Sequence, residues 1–423
     1  MAQPDHTQLI DAGIAAAPLI ADPKSWINRR VETIELLSHE EVRRQVSVDF
    51  TLTDAQLEQL RTSEGVVVPL TVLVKERRRA FSLRDESGAA IPVLGRRQNG
   101  DLALAALLHA ASNAVGVPTA DLESVAAELR AIVFDPPAAA RDAFEHFLGN
   151  AVHDDSTWSS IAADPVCRSL LDALWPNYVL FAVLVPGGPN RRILKYDYTE
   201  DVGRPGSASW RERLDPASAV YRFWYPDRRH FLIRSSAAWR ASSFHAEIVI
   251  PEDLRFGYAA LHDADTDEPV SSIEFDVDRA SLHAMDEIAP GREVVAALEI
   301  GPERTARISQ ASATAVAVAA LLWLGAASGL NADSPDAAVS ILLGGAAIFA
   351  GITAVLGEHR LVSMIFSATR RWLSIVTAAA LAGSTSLALA LPDAHPVAIW
   401  RIAAALCTVA AVRLTWSWIR ARA

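Results

Sequence analysis

The run ASATAVAVAALLWLGAASGL, Ala311 to Leu330, is predominantly apolar and carries no charge. Three runs of similar character follow after short connections: Ala337 to Leu356, Trp372 to Leu391 and Pro396 to Trp416. A helix rises about 1.5 Å per residue, so about 20 apolar residues match a hydrocarbon layer about 30 Å thick. The pattern predicts a four-helix transmembrane bundle over residues 306–423, with a soluble region ahead of it.

Lys and Arg in short connections stay on the cytoplasmic side of a membrane. Arg304 and Arg307 precede the first run, Arg360, Arg370 and Arg371 separate the second from the third, and Arg413, Arg420 and Arg422 crowd the C-terminus. The connections around Asp333 and Asp393 carry no Lys or Arg. The count predicts a multi-pass protein of the cell membrane with its N-terminal domain and C-terminus in the cytoplasm. Trp372, Trp416 and Trp418 fall where an inner aromatic belt belongs, and Trp400 lies near the outer one. Gly325 and Gly329 form a Gly-x-x-x-Gly pair and Gly344 and Gly351 share a face, a spacing that lets helices approach closely within a bundle or a homo-oligomer. No Asp or Glu falls inside the four runs, which counts against ion-coupled transport. Arg401 is placed to reach the outer surface, and Leu361 to Phe366 is predicted to lie along the inner surface or to extend the third helix.

The roughly 305 residues before these runs are enough for one large domain or two. A net charge of -11 argues against a nucleic-acid partner, because neutralising phosphates needs a basic surface. Only Lys24, Lys75 and Lys195 are lysines among 39 basic residues, a bias that together with abundant Ala suggests a high-GC bacterial genome. Cys167 and Cys407 cannot form a disulfide framework, since one lies in the soluble part and the other in an apolar run, which fits a reducing compartment.

Residues 1–25 lack a packing pattern and read as a flexible arm without a basic lead-in for a signal peptide. An α+β soluble region follows, mostly antiparallel β: residues 26–206 with a helical lobe at 99–176, then a β-rich juxtamembrane unit at 207–305. Val46, Val48, Phe50 and Leu52 alternate as a strand does, and Val66 to Val74 reads as a second, more buried strand. Phe81 to Arg84 and Ala89 to Leu94 flank Asp85-Glu86-Ser87-Gly88, a hairpin turn. Leu102, Leu104, Leu107, Leu108 and Ala111 open the helical lobe. Pro186-Gly187-Gly188-Pro189-Asn190 predicts a hairpin between Tyr178–Val185 and Arg191–Tyr198. Beyond a helix-compatible segment at Ala217 to Tyr225, five strands near residues 230–234, 244–250, 254–261, 271–277 and 293–300 suggest a β-sandwich-like unit.

Val67-Val68-Pro69-Leu70 through Phe81-Ser82-Leu83-Arg84-Asp85-Glu86, Phe244-His245-Ala246-Glu247-Ile248-Val249-Ile250-Pro251, and Gly357-Glu358-His359 resemble segments of uncharacterised bacterial multi-pass membrane proteins. Those proteins have a soluble N-terminal region and a C-terminal helical bundle. The resemblance implies that architecture and brings no activity with it.

Local signatures of chemistry are sparse. The sequence has no Walker loop, dinucleotide fingerprint, nucleophile elbow, His-Glu-x-x-His or paired cysteines for zinc, and it predicts no cofactor. Asp263, Asp265, Asp267 and Glu274 follow the 1, 3, 5, 12 spacing of a calcium loop, but Glu268 stands where Gly makes the sharp turn, so a solvated hairpin tip competes with a metal site. His146 and His153, near Glu145, Asp154 and Asp155, carry ligand chemistry for a transition metal, although Gly149-Asn150 is placed to end the helix between them. His245 and Glu247 alternate on one strand face, lining a pocket or facing solvent. Tyr221, Phe223, Trp224, Tyr225 and Phe231 interleave with Arg222, Arg228 and Arg229, a cluster suited to stacking a base or to packing beside anionic lipid. The leading expectation is a membrane-tethered cytosolic binding, sensor or scaffold module rather than an enzyme. A small channel or transporter component with a regulatory domain, and a membrane-bound enzyme without a local motif, are the alternatives.

Overall fold

Glu41–Thr51 turns Val42, Val46, Val48 and Phe50 to one side and Arg43, Gln45, Ser47 and Asp49 to the other, as a strand with one wet face must. That strand lies inside a sheet, paired along both of its edges. The computed structural model describes residues 6–202, 229–328, 359–388 and 396–422, apart from 39, 76–78, 154–156, 236, 267, 271, 277, 286–287, 289–291 and 304.

Seven strands form the main sheet in the order β10-β11-β8-β1-β2-β6-β4. They are β1 (Ile27–Leu36), β2 (Glu41–Thr51), β4 (Arg79–Asp85), β6 (Arg191–Asp201), β8 (Ser243–Val249), β10 (Ser272–Phe275) and β11 (Arg279–Met285). All pairings are antiparallel except β1 with β8. β7 (Arg229–Ser235), β12 (Val294–Pro302) and β9 (Leu254–Asp263) make a three-stranded sheet, and β3 (Val66–Val74) pairs with β5 (Asn177–Leu184).

Two hydrophobic cores lie against the buried face of the main sheet. The first joins Val46, Val48, Phe50 and Leu194 to β3, β5 and the helical lobe. The lobe comprises α3 (Arg96–Val115), α4 (Glu123–Phe134), α5 (Pro137–His153), α6 (Thr157–Ala163) and α7 (Pro165–Leu174). The second core packs Ile34, Leu36, Phe244, Ile248 and Leu282 against Phe231, Phe256, Leu261 and Leu298 of the three-stranded sheet. Strands from both sides of residue 206 therefore share one sheet, and the sandwich packing forms between that sheet and the smaller one.

Several elements differ from the sequence reading. His6–Ala21, expected within a flexible arm, is helix α1, and Leu9, Ala12, Ala16, Leu19 and Ile20 are buried in the first core. Gly13 meets the backbone of Leu102, where a Cβ would lie 2.7 Å from the carbonyl oxygen, so only glycine lets α1 sit this close to α3. The strands flanking Pro186–Asn190 do not pair with each other: β5 joins β3, while β6 joins β2 and β4. Helix α5 continues through Gly149-Asn150 to His153. The segment Ala217 to Tyr225 lies outside the described residues.

The four-helix transmembrane bundle is also corrected. Thr305–Ser328 (α8), Arg360–Ile365 (α9), Ser367–Ala388 (α10) and Pro396–Arg422 (α11) are the helices of the C-terminal part among the described residues, after the short α2 (Asp54–Gln59) earlier in the chain. Only two of them are long and apolar enough to cross a membrane, at Ile308–Ala327 and Ala398–Ile419. Helix α10 contains the third run but also Arg370, Arg371, Ser374, Thr377, Ser384, Thr385 and Ser386, which dilute its apolar character. The run Ala337 to Leu356 lies outside the described residues. Helix α9 buries Leu361, Val362 and Ile365 in the second core, together with Phe366 and Ile308. It therefore docks on the β layers instead of lying along a surface.

α11 packs along α8 and against α10. Gly325 is covered within the chain, since a Cβ there would lie 2.0 Å from Cζ3 of Trp400. Trp400 is accordingly buried between helices rather than standing in an outer belt. Gly329, Gly344 and Gly351 lie outside the described residues.

Candidate functional site

The wet face of the seven-stranded sheet gathers the chemistry that the linear sequence scatters. Strand register aligns two adjacent rows across it. One runs Ser272, His283, His245, Val31, Ser47, Lys195, Arg84; the next runs Glu274, Ser281, Glu247, Thr33, Gln45, Asp197, Ser82. The first row carries every basic group of the two, and the second every carboxylate. Side chains opposite each other on neighbouring strands lie about 5 Å apart, so from β11 to β4 each row is a line of direct neighbours.

At one end, His245 and His283 meet with their Nδ1 atoms 2.9 Å apart. A hydrogen bond at that distance needs one ring to donate and the other to accept, so the pair holds together when at least one imidazole is neutral. Burial, then His283 and Arg29, push the pKa of His245 below the ordinary value, outweighing the opposite pull of Glu247. Glu247 is held by Arg279 at 2.8 Å and accepts from Thr33 Oγ1 at 3.3 Å.

At the other end lies a groove of about 520 Å³ over β1, β2, β6 and β4, within the range of small-molecule sites. Thr33, Gln45, Ser47 and Ser82 line it together with Arg43, Arg84, Lys195 and Asp197. Asp197 is engaged by Arg43 at 3.2 Å and by the Ser82 hydroxyl. Arg84 and Lys195 face each other in register across β4 and β6, and neither makes an ion pair among the described residues.

Behind this face, between the two cores, lies a buried polar seam. Glu32 takes Arg30 Nε and Arg44 Nη1, each at 2.7 Å, and the Ser235 hydroxyl at 3.1 Å. Burial alone would raise the Glu32 pKa, but Arg30 and Arg44 hold it below the ordinary carboxylate value. Arg44 also reaches Glu200 and the Arg234 carbonyl. Arg240 is 1% exposed, and its Nε and Nη1 make no hydrogen bond. Burial, then the charge of Arg30, lower its pKa to about 9.

The residues singled out for metal chemistry are placed otherwise. Asp263 ends β9 with Oδ1 accepting from the backbone of Asp265 and Thr266 at 2.9 and 3.0 Å, and Oδ2 from Arg292 at 2.8 Å. Its oxygens thus cap a turn, the hairpin-tip role. Asp265 is exposed, Asp267 lies outside the described residues, and Glu274 sits on β10 opposite Ser281. His146 is exposed on α5 beside Glu128 at 3.9 Å, while His153 ends the same helix. No three His, Cys, Asp or Glu side chains among the described residues are grouped to hold a metal. Burial, then Asp164, push the Cys167 thiol up to about 12, which removes it as a nucleophile near neutral pH. Of the aromatic and basic cluster, Phe231 is buried in the second core, and Tyr221 to Tyr225 and Arg228 lie outside the described residues.

The alternation of His245 and Glu247 signalled part of the face in the sequence. Nothing local signalled that His283, Lys195 and Arg84 share a row with them, because only strand order and register bring them together. No family model matches this chain, and no curated protein does.

Proposed function

We propose that the protein is a membrane-tethered binding module, with the wet face of its main sheet as the recognition surface. The observation that carries this reading is that the apolar helices are rooted in the second core while the grooved face stays open. Ile308 near the start of α8 is buried in that core, and Trp418 near the end of α11 packs against it. The two candidate spans therefore both return to the β layers. Away from that root, Leu324 on α8 and Ile402, Val409 and Val412 on α11 are each more than half exposed. Contiguous apolar surface of that kind suits lipid rather than water.

In this reading α8 and α11 lie in the cell membrane, and the soluble body and C-terminus are cytoplasmic. Arg360, Arg370, Arg371, Arg420 and Arg422 all belong to segments near the rooted ends, which supports that orientation through the positive-inside rule. The composition and the absence of local catalytic signatures favour binding over turnover.

The test has two readouts on the full chain. Alkaline carbonate extraction of cells expressing it should leave it in the membrane pellet; release into the supernatant would instead make α8 and α11 core helices of a soluble assembly. Native mass spectrometry after release into detergent should then show a bound molecule or partner that Gln45→Trp, placed to fill the groove, removes. A clean apo mass and no partner captured by in-cell crosslinking through the face would overturn the binding reading.

A further inference from the structure

Like charges placed directly opposite each other on antiparallel strands destabilise the pair. Lys195 and Arg84 are such a pair, both exposed, at the edge of a protein whose net charge is -11. The neighbouring carboxylate does not relieve them, because Asp197 is already occupied by Arg43 and Ser82. Counting the groove's own charged side chains, Arg43, Arg84 and Lys195 face one Asp197, an excess of two positive charges. A phosphate monoester carries about 1.5 to 2 negative charges near neutral pH, a close match in both sign and size.

We propose that Lys195 and Arg84 clamp the phosphate of a small organic phosphate whose remainder lies along the groove; this rests on the sheet face being the recognition surface. The chemistry of the two cations is complementary. A guanidinium offers a planar fork to two phosphate oxygens, and an ammonium adds a mobile point charge beside it. Ser47, opposite Lys195 in the same row, supplies a hydroxyl at the inner side of the clamp. Thr33 and Gln45 in the next row offer neutral donors and acceptors to the organic part. The backbone of Ala89, Ala90 and Ile91 bridges the outer edge of β4 at Arg84, so a ligand reaches the clamp from the exposed face of the sheet.

The probe is phenyl phosphate, titrated into the full chain in detergent by isothermal calorimetry, with phenol and acetate at equal ionic strength as comparisons. The expected result is saturable binding of phenyl phosphate alone. Arg84→Gln and Lys195→Gln should each weaken it about tenfold, the loss of one charge-assisted hydrogen bond. Both variants should melt no lower than the parent without ligand, since each relieves a repulsion, so loss of binding cannot be put down to misfolding. Undiminished binding in the double variant, or acetate binding as well as phenyl phosphate, would overturn the proposal. If phenyl phosphate fails while native mass spectrometry still shows a ligand that Gln45→Trp removes, the phosphate assignment falls and the binding module stands. If both fail, both readings fall.

Discussion

Glu32 and Arg44 close a 2.7 Å ion pair between β1 and β2 at the line where the two hydrophobic cores meet. On β1, Ile27 belongs to the first core and Ile34 and Leu36 to the second, with Arg30 and Glu32 between them. The seam is thus a short ionic stretch inside an otherwise apolar sheet face, fixing the register of β1 against β2.

Breaking that pair leaves two buried guanidinium groups sharing less negative charge. Glu32→Gln should destabilise the protein by about 3–5 kcal/mol, the usual cost of an uncompensated buried charge. Urea unfolding in detergent measures it. The same pair gives the parent an acid limit. The Glu32 pKa is lower folded than unfolded, so its stabilisation is present above the unfolded carboxylate range and drains away as pH falls through the folded value. Acid unfolding of Glu32→Gln should lack that part of the slope.

Arg240 makes the opposite prediction. Its guanidinium is buried with two nitrogens unpaired, and Arg30 adds repulsion. Arg240→Met keeps the length of the side chain and removes the charge, and should be neutral or stabilising by up to about 4 kcal/mol. A clear drop in melting temperature would mean that the guanidinium holds an anion or ordered water in the seam.

The histidine pair sets a second pH dependence. Since the His245 pKa is lowered on folding, the unfolded chain binds the proton more readily. Stability should be full above the unfolded histidine value, near 6.5, and decline as pH falls from there through the folded value. In His245→Gln the decline between these limits should shrink, as read from melting temperatures between about pH 5 and 7.5.

Gly325 tests the helix packing. A side chain at this position collides with the ring of Trp400. Gly325→Leu should cost about 1–3 kcal/mol through overpacking, and Trp400→Ala in the same chain should recover part of the loss. Differential scanning calorimetry in detergent reads both. An undisturbed melting point in the single variant would place Gly325 away from α11.

Much of the fold was legible where one physical signal dominated. β2 and β3 follow from alternation and from a continuous apolar run, and α3 from apolar residues at helical spacing. β1 was not legible, because Arg30 and Glu32 occupy the core-facing positions where the pattern demands apolar residues. α1 is hidden for the opposite reason: its small alanines bury well but give little contrast between faces. The turn between β5 and β6 announces a reversal of the chain, yet a turn does not say which edges the two strands will join. The two rows of the candidate site depend on pairings between distant strands, such as Arg84 with Lys195 and His245 with His283, and no local pattern encodes those. The apolar tail is ambiguous in the sequence because hydrophobic runs alone do not distinguish a spanning helix from one like α10, whose flanking arginines and spaced hydroxyls belong to the same element.

The single parallel pairing among the described strands has a consequence for synthesis. β1 lies inside the sheet, but its neighbour β8 is 214 residues further along the chain. At a ribosomal rate of about 5–20 residues per second, β1 exposes an unpaired edge for roughly 10–40 s before its partner exists. During that interval Ile34 and Leu36 also lack the opposing wall of their core. The nascent chain is therefore a natural client for a chaperone, and a ribosome stalled before Ser243 would display a sheet with its centre open.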